Sequence, residues 1–288
     1  MDEIRQAVRI CPPEVQEAVL HLPYAAKIEE IRLRCGQAAA VSVNGKEREL
    51  NDLYVTAKWL DETIAKATGH AFFSAQNMLK NGFVTVSGGH RLGVCGIAVC
   101  PGDQITGFQE LSSINLRVAR QIRGIASKPA DALWLHPDST LIIGAPGVGK
   151  TTLLRDLIRQ LSDRFSFRIG VADERMEIGA CFNGRPQFDL GTHTDVLSGV
   201  KKETAVEFLL RTMNPEWIAV DEITAAADVE AMVRASYCGV NFIATAHAGS
   251  RAELGQRELY RTLIACGLFQ NLVTIRRDRT IITERMSI

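Results

Sequence analysis

The sequence predicts an α/β fold, a mainly parallel sheet with helices on both faces, preceded by a smaller α+β domain. Three observations carry this. From about residue 129 onward, apolar strand segments and amphipathic helix segments alternate regularly, as in a parallel sheet covered on both sides. Before Gly124 the strands alternate apolar and polar residues and turn tightly on glycines, as half-buried hairpins do. Between the two patterns the phasing changes, which places the boundary near 124–128 and the two domains at 1–125 and 126–288.

The elements follow in order. Residues 1–22 read as two short helices separated by Pro12-Pro13. "IEEIRLRC" sets Ile31, Leu33 and Cys35 against Arg32 and Arg34, a strand with one wet face. "AVSVNGKEREL" is a hairpin, since Asn44-Gly45 suits a turn that needs two positive φ angles. "VTAKWLDETIAKAT" is an amphipathic helix, and "NGFVTVSGGHRLGVCGIAV" a second hairpin turning at Gly88-Gly89. "SSINLRVAR" sets Ile114, Leu116 and Val118 against Asn115, Arg117 and Ala119. In the second domain a helix over "KPADALWLH" opens at Pro129, in a position of the first-helical-residue type. Strands are expected at 140–144, 167–173, 217–222, 241–247 and 280–285, with helices at 150–162, 203–213, 226–238 and 251–266. Gly239 and Gly267 are suited to end two of these helices.

Composition narrows the function. The chain of 288 residues is 46% hydrophobic and carries 33 basic and 33 acidic residues. Zero net charge gives no electrostatic case for a dedicated nucleic-acid binder. No apolar run approaches a membrane span, and the start "MDEIRQAV" is not a basic leader. The chain is therefore expected in the cytoplasm, with any membrane association peripheral. Its seven cysteines are scattered without a Cys-x-x-Cys pair and are expected to be reduced core thiols.

The chemistry concentrates at strand ends. "GAPGVGKT", Gly144 to Thr151, follows an apolar strand and opens a helix. Glycines there let the backbone wrap a phosphate chain, and the helix start adds its N–H groups. The binding set is Gly144, Ala145, Pro146, Gly147, Val148, Gly149, Lys150, Thr151 and Thr152. Lys150 would reach the outer phosphates and Thr151 would ligate Mg²⁺. "PEWIAVDE" brings Asp221 to a strand tip, where it can hold Mg²⁺ through water, and Glu222 beside it can orient the attacking water. "FIATAHA" sets Thr245 and His247 at another strand end, placed to sense a terminal phosphate. "IGVADERMEI" brings Asp173, Glu174 and Glu177 to the same face, a third acidic cluster that a minimal nucleotide binder does not need.

With these blocks in this order, and with "IEEIRLRCGQ", "GFVTVSGGHRLGVCGIAV" and "SSINLRVARQIRG" ahead of them, the chain resembles the type II/type IV secretion and pilus-type ATPases. More narrowly it resembles the stage III sporulation protein AA family of endospore-forming bacteria. The resemblance covers nearly the whole chain. It implies a RecA-like ATPase domain behind the small α+β domain, using ATP and Mg²⁺ in a homo-oligomeric ring, a hexamer. It implies an active site completed by the acidic box Asp173-Glu174 and by His247. Hydrolysis then falls to Glu222, with Glu174 supporting Mg²⁺ or water, and with Asp173 orienting and joining Thr151 and Asp221 around Mg²⁺, in part through water. Arg117, Arg120 and Arg211 are the candidates to complete a neighbouring subunit's site, and Glu177 is left as a salt-bridge partner. Membrane proteins of a sporulation secretion-like channel are the implied partners. The alternatives are a nucleic-acid-stimulated motor and a nucleotide-gated assembly scaffold with little turnover. Two departures stand out. The zinc-binding cysteines common in pilus-type ATPases are missing, and Thr224 stands where the family has glycine after "DEI".

Overall fold

The computed structural model describes residues 1–69, 83–100, 102 and 105–286. Asn81 and Gly82, which open the predicted second hairpin, lie outside the described residues. The chain forms two compact units, one of residues 1–120 with 180–187, the other of 121–179 with 188–288.

The first unit opens with helices α1 (Asp2–Val8) and α2 (Pro13–His21) and a 3-10 turn at Ala25–Lys27. Then come β1 (Ile28–Arg34), β2 (Ala38–Val43), β3 (Lys46–Tyr54) and α3 (Ala57–Ala67). The strands β4 (Phe83–Val86), β5 (His90–Val99) and β6 (Gly107–Arg117) complete it. The six strands pair antiparallel in the order β3-β2-β1-β6-β5-β4. The hairpin turn is the expected one, with Asn44 at φ 52° and Gly45 at φ 70°. Ile31, Leu33, Leu92, Ile114 and Leu116 are buried on one face with Ile4, Val15, Val19 and Leu60 of the helices. Each such side chain contributes roughly 1.5–3 kcal/mol of burial. The opposite face carries Arg32, Arg34, Asn115 and Arg117, as the alternation requires.

The cysteines correct the sequence reading. Cys11 is buried, but Cys35, Cys95, Cys100, Cys238 and Cys266 are exposed and Cys181 is half-buried. Cys95 lies on β5, whose last residues run past the covered part of the sheet, and Cys100 follows that strand.

In the second unit α4 (Ser127–Leu135) leads to β7 (Thr140–Gly144), α5 (Lys150–Phe165) and β8 (Ile169–Asp173). Next come β9 (Thr194–Ser198), α6 (Lys202–Thr212), β10 (Trp217–Val220) and α7 (Ala226–Ser236). The unit closes with β11 (Asn241–Ala246), α8 (Arg251–Leu254), α9 (Glu258–Ala265), β12 (Asn271–Ile275) and β13 (Ile281–Arg285). Seven strands run β13-β12-β7-β11-β10-β8-β9, parallel throughout except for β12 with β13. Alternate residues of one strand serve opposite cores. Leu141 and Ile143 face α6 and α7, while Ile142 faces α4 and α5. That is why these strands read as continuous apolar runs.

Three local readings change. Strands β9 and β12 were not expected. The helix expected over 251–266 is two helices, interrupted over residues 255–257. Pro129 sits at the third residue of α4, still within the first turn, where a missing N–H costs no helical bond.

Candidate active site

The carboxyl ends of β7, β8, β10 and β11 place the functional side chains together. Gly144 ends β7 opposite Ile275, and a Cβ there would lie 2.7 Å from Val148 Cγ2 and 2.8 Å from the Ile275 carbonyl oxygen. Only glycine lets the loop leave the strand at this point. Gly149, at φ 109°, caps α5 in a conformation that other residues resist. Lys150 follows as the first helical residue and is buried. Its ammonium donates to the carbonyls of Gly144 (2.9 Å) and Ala145 (3.2 Å) and lies 3.0 Å from His247 Nδ1. Burial pushes the Lys150 pKa down, against the opposing pull of Asp221 and Glu222.

Asp221 and Glu222 stand just past β10, which ends at Val220 rather than at 222. Thr151 Oγ1 donates to Asp221 Oδ2 at 2.9 Å, and the fully buried Thr245 donates to Asp221 Oδ1 at 2.6 Å. The same Thr245 oxygen accepts the Glu222 backbone N–H at 2.8 Å. Glu222 is held at φ 50°, a left-handed conformation that costs a non-glycine residue about 1–2 kcal/mol. Its carboxylate lies 2.9 Å from His247 Nε2 and 3.0 Å from Arg175 Nη1. An ammonium only donates, so His247 Nδ1 accepts from Lys150, and the imidazole proton lies on Nε2 toward Glu222. The histidine thus connects the loop lysine to the glutamate.

The Thr151 hydroxyl and the Asp221 carboxylate form an oxygen pair of the kind Mg²⁺ takes, one carboxylate with room for waters and phosphate oxygens. Thr151 and Asp221 line the same pocket as Gly147, Gly149, Thr152 and His247. Ala145 and Pro146 line an adjoining pocket with Arg257, Arg276 and Arg277, and Val148 packs at the foot of the loop against Gly144.

Asp173, expected near Mg²⁺, is otherwise employed. It is 2% exposed. Its carboxylate accepts the backbone N–H groups of Glu177 (2.7 Å), Ile178 (3.0 Å) and Gly179 (2.8 Å). Burial raises its pKa, the three N–H bonds oppose that, and Asp221 adds to the rise. It closes the acidic loop on itself and has little capacity left for a cation. Glu174 lies 2.9 Å from Lys202 Nζ, a residue the sequence reading left just outside its helix. Glu177 lines the same pocket as Thr151 and Asp221, and its carbonyl accepts from Arg155.

The three arginines lie elsewhere. Arg117 ends β6 in the first unit, well exposed, 3.6 Å from Glu30. Arg120, also in the first unit, donates to the carbonyls of Ala26 (2.9 Å) and Ile28 (2.5 Å) and so ties down the start of β1. Arg211 ends α6, whose next strand begins at Trp217. It therefore lies at the amino edge of the sheet, opposite the carboxylates of its own chain. Sequence reasoning missed Arg175 as the partner of Glu222, Thr245 as a brace and Lys202 altogether. Of these only Thr245 carried a signal, its place at a strand end.

The model of a family described as sporulation stage III, protein AA, matches residues 7–282. The stage III sporulation protein AA of Bacillus subtilis (strain 168) is 34% identical over 274 residues, covering 91% of this chain and 87% of that protein. The fold is similar to that of the Legionella pneumophila ATPase DotB, with a TM-score of 0.59 at 17% identity over 95% of this chain and 80% of that one. It is also similar to the pilus retraction motor PilT with bound ADP, with a TM-score of 0.61 at 16% identity over 95% and 82%. At such identities the likeness is one of fold, a RecA-like domain behind a smaller amino-terminal one. The family match and the close relative both span nearly the whole chain, and on them the chain belongs to the sporulation stage III, protein AA family.

Proposed function

We propose that this chain is a Mg²⁺-dependent ATPase that powers or assembles a secretion-like channel complex during endospore formation, working as a homohexameric ring. The observation that carries the ATPase reading is one connected network. Asp221 is bonded to the loop threonine, Glu222 is linked through His247 to the loop lysine, and Thr245 braces the Asp221 carboxylate and the Glu222 backbone N–H together. A sheet edge used only for packing has no need of it.

Each residue then has a task. The loop from Gly144 to Thr152 binds the phosphate chain by backbone N–H groups. The Lys150 ammonium exchanges its carbonyl partners for outer phosphate oxygens. Thr151 and Asp221 would hold Mg²⁺, which neutralises phosphate charge when bound. Glu222 orients the attacking water and accepts its proton, and His247 keeps that carboxylate in register with the lysine. Positioning and charge stabilisation supply the rate. Among the three arginines, Arg117 is the best placed to serve a second copy of the chain, because its side chain is 65% exposed and its ion pair with Glu30 is a long one of 3.6 Å.

Among the described residues no helix is long and apolar enough to cross a membrane. The proposed setting is the cytoplasmic face of a membrane, with membrane proteins of the channel as docking partners. Steady-state turnover and fluorescent-ATP binding test the reading together. Glu222→Gln is expected to keep ATP affinity within a few-fold and to lose at least ~100-fold in kcat, and Lys150→Ala to lose binding. Wild-type turnover no greater than that of Lys150→Ala would leave the nucleotide-gated scaffold as the reading. Stimulation by single-stranded DNA, lost at high salt, would favour the nucleic-acid motor.

A further inference from the structure

We propose that Lys202 is a positioning residue for hydrolysis. It ties the loop carrying Glu174 to the turn that follows Asp221-Glu222 and so fixes where the Glu174 carboxylate stands. This rests on the ATPase reading and adds a residue that reading does not use.

Lys202 is the first residue of α6, and its side chain is 6% exposed. Both facts are unfavourable. A buried ammonium loses its water, and a cation at a helix start opposes the helix dipole. A lysine that merely packed α6 against the sheet would be better replaced by an apolar residue. Its charge is answered from two loops. The first is the acidic loop after β8, where Glu174 Oε2 lies 2.9 Å away. The second is the turn after β10 with the first turn of α7, where Thr224 Oγ1 accepts at 3.4 Å and Asp228 Oδ2 lies 3.6 Å away.

Asp228 is itself 4% exposed and accepts the backbone N–H groups of Thr224 and Ala225, each at 3.0 Å. It therefore fixes the turn joining Glu222 to α7. Lys202 makes that fixed turn the anchor for Glu174. Strands β8 and β10 are hydrogen-bonded neighbours, so the two loops leave the sheet side by side. Between them Glu174, Lys202, Asp221 and Glu222 line a cavity of about 10 Å³, the room of one water molecule. Glu174 is otherwise 35% exposed. Without the lysine its carboxylate is free to turn into solvent, away from the other two acids.

The test is a double-mutant cycle on the full chain, with kcat and KM for ATP and a thermal melt for every variant. Lys202→Met is expected to lower kcat by about 10-fold with KM within about 3-fold, and Glu174→Gln to lower kcat similarly. Combining them should cost less than about 2-fold beyond Glu174→Gln alone, because the lysine acts through the glutamate. Lys202→Arg keeps the charge but moves the carboxylate. It should lose about 3-fold in the wild-type background and nothing beside Glu174→Gln. This second cycle decides the matter should Lys202→Met not melt cooperatively. Equal losses in both backgrounds, or wild-type kcat in folded Lys202→Met, would overturn the proposal while leaving the ATPase reading intact. A wild type no faster than Lys150→Ala would overturn both.

Discussion

Thr245 offers the sharpest perturbation of the site. Thr245→Val keeps the shape of a fully buried side chain and removes its hydroxyl. Two bonds go with it, the 2.6 Å donation to Asp221 and the 2.8 Å acceptance from the Glu222 N–H. A hydrogen bond to a charged group contributes about 1.5–3 kcal/mol, and a stranded N–H costs about 1–3 kcal/mol. Together they put the stability loss at about 2.5–6 kcal/mol. At roughly 2–4 °C per kcal/mol for a chain approaching this size, Tm should fall by about 5–24 °C. The effect on turnover comes through the backbone. Glu222 is held at φ 50°, and the Thr245 hydroxyl is one of the contacts that keep it there. Released, it relaxes toward ordinary φ values and carries its carboxylate away from His247. The expected loss in kcat is about 100-fold, with ATP affinity within a few-fold because Thr151 still holds Asp221. Thr245→Ser keeps both bonds and should stay within about 3-fold of wild type. The assays are steady-state ATP hydrolysis and a melt followed by circular dichroism. Thr245→Val with kcat within about 2-fold of wild type would refute the bracing argument, whatever its Tm.

Further predictions follow from the same geometry. Gly144→Ala forces a methyl group to 2.8 Å from the Ile275 carbonyl oxygen, so β7 and β12 must part. It should destabilise by about 1–3 kcal/mol and abolish binding of a fluorescent ATP analogue, and unchanged binding would contradict the close-approach reading. Burial lowers the pKa of His90 to about 4 from 6.5, with Glu3 opposing and Arg120 assisting. The unfolded chain therefore takes up the proton first. Stability present above pH 6.5 is lost as pH falls toward 4, by about 3 kcal/mol at pH 4. Urea midpoints of wild type and His90→Leu across that window test this, since the variant should lack that share of the acid sensitivity. Asp173→Asn turns one acceptor into a donor facing the amides of 177–179. Exchange of those amides with deuterated solvent should accelerate at least ~10-fold, and unchanged protection would refute the loop-anchor role.

The parts legible in the sequence are those fixed by near neighbours in the chain. The loop from Gly144 to Thr151 is a local arrangement of glycines before a helix, and alternation or continuity of apolar residues tells a half-buried strand from a fully buried one. The elements missed had weak local signals. Strand β9, "TDVLS", is a half-buried edge, and β12 was lost in the run after Gly267. The partners of the acidic residues were illegible for a different reason. Arg175 meets Glu222 and Lys202 meets Glu174 only because β8, β10 and α6 are packed together, and no spacing along the chain encodes that.

Asp173 and Asp221 show how far residue type can be trusted. Both are aspartates at the carboxyl end of adjacent parallel strands, and the sequence reading gave both to Mg²⁺. What separates them is the backbone that follows. After Asp173 the chain turns back at Met176, φ 52°, and brings three amides onto the carboxylate. After Asp221 the next two amides go instead to Thr245, that of Glu222 to its hydroxyl and that of Ile223 to its carbonyl. Asp221 is thereby left with hydroxyl donors alone. A hydroxyl that donates to a carboxylate can turn its lone pairs to a cation shared with that carboxylate, whereas a backbone amide has only a proton to offer. The division between a carboxylate closed by amides and one able to take a cation is therefore made by the destination of the amides after each aspartate.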